Sequence, residues 1–131
     1  MKLQKLVYCL HGWHLAIADK PGIDGQFEAW PYGPVEDELY HLFKSYRNRP
    51  ITTYAQSWDG DEQKAFVVAE AENKEFYDIL NFVSARYMPF SATQLSAMTH
   101  MPGTPWSITR NSGGSIISDD LIQNHFRKLA A

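Results

Sequence analysis

The chain has 131 residues, a formal net charge of −3 and a single cysteine. This length predicts one domain over residues 1–131, and one cysteine excludes both an intrachain disulfide and a zinc site built from cysteines. The acidic balance, without a run of like charges, argues against a protein that binds nucleic acid by neutralising phosphates. The sequence contains no signal-peptide core and no apolar run of membrane-spanning length, so we expect a cytoplasmic domain.

The first predicted element is a long amphipathic helix over residues 2–18. From Leu3 onward, apolar residues recur at three- and four-residue steps, which places them on one face. Gly12 interrupts this face at a cost of about 1 kcal/mol relative to alanine, so we expect another element to pack closely against the backbone there. The helix is expected to end before the breaker pair Pro21-Gly22.

The sequence EAWPYGPV at residues 28–35 breaks the helical pattern. Its prolines and glycine exclude a continuous helix, and the residues FEAW favour a short extended arm or a small β element near residues 26–31. A second helix is predicted to begin at Pro34, because proline loses no hydrogen bond in a first helical turn and carboxylates follow it in the sequence.

The rest of the chain is predicted to alternate between loops and helices. Residues 48–60 are predicted as a loop, and residues 61–87 as a helix whose second half is the more amphipathic. A Ser-x-x-Gln capping box precedes a short predicted helix over residues 92–100. Prolines and glycines predict a loop over residues 101–117, after which Ser118 is expected to cap a last amphipathic helix. The fold class is therefore mainly α, a compact bundle of about five to six helices.

Candidate catalytic groups are few. His11 and His14 lie three residues apart on the first helix and could face one metal ion, but no tight spacing recruits His100 or another histidine as a further ligand. Cys9 could act as a thiol nucleophile with a histidine, but it lies among apolar residues, where burial disfavours the thiolate. A metal- or thiol-dependent enzyme stays an alternative; the main expectation is a protein with no catalytic residue, metal or cofactor.

Aromatic side chains next to prolines are the other conspicuous feature. Trp30 and Tyr32 flank Pro31, and Trp106 follows Pro105. Prolines leave such rings little conformational entropy to lose, which suits a binding anchor. The same rings could instead fill the core beneath a loop, and the sequence leaves both interpretations open.

Three ordered motifs give the chain a resemblance to a known family. They are an L-Q-K-L-x-Y helix with G-W-H-L, the sequence A-W-x-Y-G-P-V, and an S-x-x-T-H segment followed by P-W. They cover residues 3–15, 29–35 and 96–106. Over nearly its whole length the chain resembles the SocA-like, or Panacea, antitoxin family.

The resemblance implies a small helical antitoxin domain of bacteria and their phages, which neutralises a toxin protein by binding it directly. It also implies an alternative, an adaptor that delivers the toxin to a cytoplasmic protease. Family members usually carry a further N-terminal helix, which is expected to be absent or trimmed here. A membrane is not an expected partner, and nucleic acid is disfavoured. The expected partner-binding residues are Trp13, Trp30, Tyr32, Gly33, Pro34, His100 and Trp106.

Overall fold

The computed structural model describes residues 2–43, 56–59, 62–65 and 73–131. Helices dominate these ranges, and the chain adds a small three-stranded antiparallel sheet, which confirms the predicted mainly α class. None of the helices in these ranges combines the length and the apolarity needed to cross a bilayer. The elements in chain order are α1 (Lys2–Ala18), β1 (Phe27–Trp30), β2 (Gly33–Glu36), α2 (Asp37–Phe43), β3 (Gln56–Asp59), β4 (Glu62–Ala65), α3 (Lys74–Tyr87), α4 (Ala92–His100), α5 (Pro105–Asn111), β5 (Ile116–Ile117) and α6 (Asp119–Ala130).

Helix α1 lies at the centre of the fold, because α3, α4, α6 and β2 all pack against it. Its residues Tyr8 and Trp13 are buried, and the ring of Phe126 on α6 contacts both of them. The same ring lies against the backbone of Gly12, where a Cβ atom would overlap it. The expected close approach at Gly12 is therefore confirmed, and α6 is the element that makes it.

The predicted β element is confirmed as a hairpin followed by a short third strand. Strands β1 and β2 pair antiparallel from Phe27 opposite Glu36 to Trp30 opposite Gly33. On the other side of β1, Ile117 of β5 pairs with Phe27, which gives the strand order β2-β1-β5. Gly33 has φ +119, a conformation that glycine adopts readily and other residues rarely adopt.

The second helix begins later than the sequence predicts. Pro34 lies in β2, an edge strand of the sheet, where the missing N–H of proline is tolerated. Helix α2 begins at Asp37 instead. The carboxylate of Glu36 accepts hydrogen bonds from the backbone N–H groups of Glu38 and Leu39, at 3.3 and 2.7 Å. Glu36 therefore caps the helix start that we had assigned to the proline.

Strands β3 and β4 correct two further predictions. Residues 56–59 fall in the predicted loop and residues 62–65 in the predicted helix, yet the two segments pair antiparallel. The Gly-Asp dipeptide between them, residues 60–61, is a two-residue hairpin signal, which outweighs the weak helical pattern of the early part of residues 61–87. Only the second half of that predicted helix is confirmed, as α3, and residues 66–72 lie outside the described residues.

Helix α5 lies within residues 101–117, for which the prolines and glycines predict a loop, so that prediction is wrong here. Pro105 occupies the first turn of α5, and the hydroxyl of Thr104 accepts a hydrogen bond from the backbone N–H of Ser107. The two other capping predictions are confirmed. Ser91 forms the full capping box of α4, and the Ser118 hydroxyl accepts from a backbone N–H in the first turn of α6.

Candidate partner-binding surface

An exposed group of aromatic rings lies at the tip of the β1–β2 hairpin. The ring centroid of Trp30 is 4.9 Å from that of Tyr40 on α2 and 6.4 Å from that of Tyr32 in the turn. Tyr32 is 48% exposed and Tyr40 is 36% exposed. We call Trp30, Tyr32 and Tyr40 the hairpin-tip cluster. Aromatic residues are enriched in protein interfaces, so the cluster is a candidate contact surface.

Helix α4 fixes the turn that carries this cluster. The hydroxyl of Ser96 donates to the carbonyl oxygen of Tyr32 at 3.0 Å. The Nε2 atom of His100 lies 3.0 Å from the carbonyl oxygen of Pro31, and its Nδ1 atom lies 2.6 Å from the carbonyl oxygen of Ser96. The His100 ring thus lies between a carbonyl oxygen of α4 and a carbonyl oxygen of the turn. His100 therefore acts as a bridge between α4 and the turn.

Helix α5 supports the hairpin from a second side. The indole Nε1 of Trp106 donates to the carbonyl oxygen of Trp30 at 2.6 Å, and the guanidinium of Arg110 donates to the carbonyl oxygen of Ala29 at 3.0 Å. The Trp106 ring also contacts the His100 ring, with centroids 4.0 Å apart. Trp106 is thus half-buried beneath the hairpin, and it holds the hairpin-tip cluster in place.

Helix α1 holds the second strand of the hairpin through two residues of the first motif, Gln4 and Lys5, which are not among the expected partner-binding residues. The side-chain amide of Gln4 exchanges two hydrogen bonds with the backbone of Glu36, each at 3.0 Å. The ammonium of Lys5 donates to the carbonyl oxygen of Pro34 at 3.2 Å, and burial lowers the pKa of Lys5 to about 8. At Gly33 a Cβ atom would lie 2.8 Å from Cε of Lys5, so only glycine leaves room for this lysine.

The structure brings together all the expected site residues except Trp13. Trp30 and Tyr32 lie at the tip, Gly33 and Pro34 are buried in β2, and His100 and Trp106 lie beneath the turn. Trp13 is buried in the core, where its indole Nε1 donates to the Tyr87 hydroxyl at 2.9 Å. Only a contact with a partner would test these assignments, so they stay predictions.

The two histidines of α1 have different partners. The Nδ1 atom of His11 accepts from the backbone N–H of Ile23 at 3.3 Å, which leaves its Nε2 to donate to Asp119 at 2.8 Å. The Nδ1 atom of His14 donates to the carbonyl oxygen of Lys20 at 2.7 Å. The His11 ring is held by Ile23 and by Asp119 of α6, whereas the His14 ring is held by Lys20 in the loop after α1. Within the described residues, no three His, Cys, Asp or Glu side chains are grouped so that they could hold a metal ion.

The thiol of Cys9 is buried in the core. Burial raises the pKa of this thiol to about 12, although the charges of Lys5 and Arg86 act in the opposite direction. A thiol with so high a pKa is almost entirely protonated at neutral pH, so it is a poor nucleophile.

Apart from Arg110, the residues that position the hairpin lie within a match to a family of known proteins. The model of the family described as "Antitoxin SocA-like, Panacea domain" matches residues 3–107, which include α1, the hairpin and α4. The chain is 30% identical over 133 residues to Antitoxin SocA of Caulobacter vibrioides (strain NA1000 / CB15N), a match that covers 97% of this chain and 71% of that protein. No solved structure matches the chain. The resemblance carried by the three motifs is therefore confirmed, and the chain belongs to the SocA-like, Panacea domain family of antitoxins.

Proposed function

We propose that this protein is a cytoplasmic antitoxin that binds a toxin protein directly through the hairpin-tip cluster and masks the toxin's active surface. Membership of an antitoxin family supports the antitoxin role. The observation that carries the assignment of the surface is the exposure of Tyr32, on a hairpin whose backbone is held by α1, α4 and α5, next to the exposed Tyr40 on α2.

Rigid support matters because a protein interface loses free energy when it orders mobile side chains and loops. The turn at Pro31 and Tyr32 is already ordered by hydrogen bonds to its carbonyl oxygens from Ser96 and His100. The Trp30 ring is held in addition by a hydrogen bond from its Nε1 to the Glu28 carboxylate at 3.1 Å. The aromatic surface is thus preorganised, which is the property that makes buried Trp and Tyr residues dominate binding energies.

A binding role also agrees with the state of the groups that an enzyme would need. His11 and His14 are each committed to a structural hydrogen bond, and the thiol of Cys9 is buried and protonated. We therefore favour masking of the toxin without chemical turnover over the metal- or thiol-dependent alternative.

Co-expression with the toxin encoded by the neighbouring gene tests the proposal. The wild-type chain should restore growth, and Tyr32→Ser with Tyr40→Ser should abolish both rescue and co-purification of the toxin while the thermal midpoint changes little. Ile17→Ser is the matched control, because Ile17 is an exposed apolar residue on α1 and not part of the cluster. Unchanged rescue by the double tyrosine variant would remove the hairpin tip from the interface.

The toxin's half-life separates masking from the adaptor alternative. Direct masking predicts that the half-life of the toxin stays the same when this protein is present. A shorter half-life, together with loss of rescue in cells that lack the protease, would assign delivery to the protease instead.

A further inference from the structure

A second concave surface lies on the other side of α4 from the hairpin. Its volume is about 580 Å³, and α1, α3, α4, α6 and the loop between α4 and α5 all contribute to it. We call it the α4–α6 groove. Tyr8, Cys9 and Phe126 form its buried floor. Its size lies within the range of small-molecule sites, roughly 300–1,000 Å³.

The rim of the groove is apolar and exposed. Met101 is 60% exposed, and Met98 and Leu129 are also exposed beside it. Methionine side chains are flexible and polarisable, so they adapt to the shape of an apolar ligand. Since exposed apolar side chains gathered around a cavity favour an apolar occupant, the rim and floor together predict a ligand with a hydrocarbon body.

The charge of the residues that line the groove predicts that the polar end of this ligand is an anion. Arg86 lines the groove, and none of the described lining residues is Asp or Glu, although the whole chain has a net charge of −3. The Nε atom of Arg86 donates to the Tyr87 hydroxyl at 3.3 Å, and its guanidinium carbon lies 5.6 Å from the Trp13 ring centroid. No carboxylate pairs with Arg86 within the ranges that the structure describes. Its remaining N–H groups match the geometry of a carboxylate.

We propose that the α4–α6 groove binds a small monoanionic amphiphile, an aliphatic or aromatic body that ends in one carboxylate. The body lies on the floor and is covered by Met98, Met101 and Leu129, and the carboxylate pairs with Arg86. We favour a compact ligand over a helix of a partner, because a volume of about 580 Å³ is that of a small-molecule site.

Decanoate is a suitable probe, with decyltrimethylammonium as its counterpart of opposite charge. Titration of the ¹³C-methyl-methionine-labelled full chain with decanoate should shift the methyl signals of Met98 and Met101, and calorimetry should give a saturable single site. Decyltrimethylammonium should bind at least about tenfold more weakly, because it loses the charge-assisted hydrogen bond and meets the guanidinium.

Two variants with matched controls locate the site. Arg86→Gln should weaken decanoate binding about tenfold, whereas Arg110→Gln should leave it unchanged, although Arg110 also stacks on an indole, Trp106, at 5.6 Å. Leu129→Glu should abolish binding, whereas Ile108→Glu should not. Leu129 and Ile108 are comparably exposed, at 46% and 42%, but only Leu129 lines the groove.

The proposal is overturned if decanoate and decyltrimethylammonium bind equally, or if Arg86→Gln and Arg110→Gln have the same effect. It is also overturned if decanoate leaves the methyl signals of Met98 and Met101 unchanged while the toxin protein shifts them. That result would show that the groove binds the toxin. If the chain dimerises and Leu129→Glu prevents this, the groove is an interface with a second copy of the chain, which would also overturn the proposal. None of these results would alter the growth-rescue test of the hairpin-tip cluster.

Discussion

Gln4 and Glu36 are joined by a closed pair of hydrogen bonds. The side-chain amide of Gln4 donates to the carbonyl oxygen of Glu36 and accepts from its backbone N–H, both at 3.0 Å. Both residues are buried, so neither backbone group has water as a substitute partner. This pair ties the first motif of the chain to the second, and it fixes the point where β2 passes into α2.

Replacing Gln4 by alanine should therefore be costly. Gln4→Ala leaves a buried N–H and a buried carbonyl of Glu36 without partners, so we expect the free energy of unfolding to fall by about 2–4 kcal/mol. Denaturant titration measures this loss. Gln26→Ala is the control, because Gln26 is exposed, and it should change stability by less than about 0.5 kcal/mol. Equal effects of the two substitutions would contradict the role of the pair.

Lys5 should make stability depend on alkaline pH. Burial lowers its pKa from 10.5 to about 8, so between these pH values the unfolded state binds more protons than the folded state. The contribution of Lys5 to the free energy of unfolding should therefore rise with pH through this window, and its desolvation penalty should be fully present below it. Lys5→Met removes the buried charge, and with it about 3 kcal/mol of this pH dependence, while the carbonyl oxygen of Pro34 loses its donor.

The difference between wild type and Lys5→Met is the quantity to measure for this prediction. Burial also raises the pKa of the Tyr8 phenol and of the Cys9 thiol, which lowers stability at high pH. These effects are common to both proteins and cancel in the difference, apart from the attraction between Lys5 and a Cys9 thiolate. A difference that stays constant from pH 8 to 10.5 would show that Lys5 does not titrate in this window.

A methyl group at Gly12 should separate α6 from α1. Gly12→Ala gains about 1 kcal/mol of helix propensity but forces the Phe126 ring to move, and overpacking of a core costs about 1–3 kcal/mol. We expect a net loss in the free energy of unfolding. We also expect the chemical shifts of the Phe126 ring protons to change in the NMR spectrum. In a Phe126→Leu background the same substitution should be neutral or stabilising. A loss of the same size in both backgrounds would exclude the ring as the cause.

His100 should control the order of the hairpin turn. His100→Phe keeps a ring next to Trp106 but removes both ring nitrogens, so the carbonyl oxygen of Pro31 loses its partner. Loss of this hydrogen bond should lower the free energy of opening the turn by about 1 kcal/mol, which should speed amide exchange at Tyr32 and Gly33 about fivefold. Hydrogen exchange by NMR measures this, with the amides of α6 as an internal reference. Unchanged exchange in the turn would mean that Ser96 and Trp106 suffice to hold it.

The parts of the fold that sequence predicts well are those set by local chemistry. The Ser91 capping box and the Ser118 cap place the starts of α4 and α6, because each cap needs only residues within one turn. Gly12 likewise predicts a close contact, although the sequence cannot name Phe126 as the partner.

The errors arise where distant contacts decide between two local options. Gly33, Pro34 and the carboxylates after them resemble a helix start, but β1 and the side chains of Gln4 and Lys5 stabilise an extended β2 instead. For the same reason the site was predicted only in part. The aromatic residues, His100, Gln4 and Lys5 all lie in the three motifs. The role of Gln4 and Lys5 becomes visible only once α1 and β2 are side by side.

The outward side of β2 has one more consequence, for how a toxin can be recognised. Pro34 has no N–H and its carbonyl is bonded to Lys5, while both backbone groups of Glu36 are bonded to Gln4. At the opposite border, β5 has only two residues. Within the part of the chain that the structure describes, this sheet therefore offers no extended free backbone ladder on which an incoming chain could be added as a further strand. A partner at this surface therefore has to bind through contacts with side chains, and not by pairing with the backbone of the sheet.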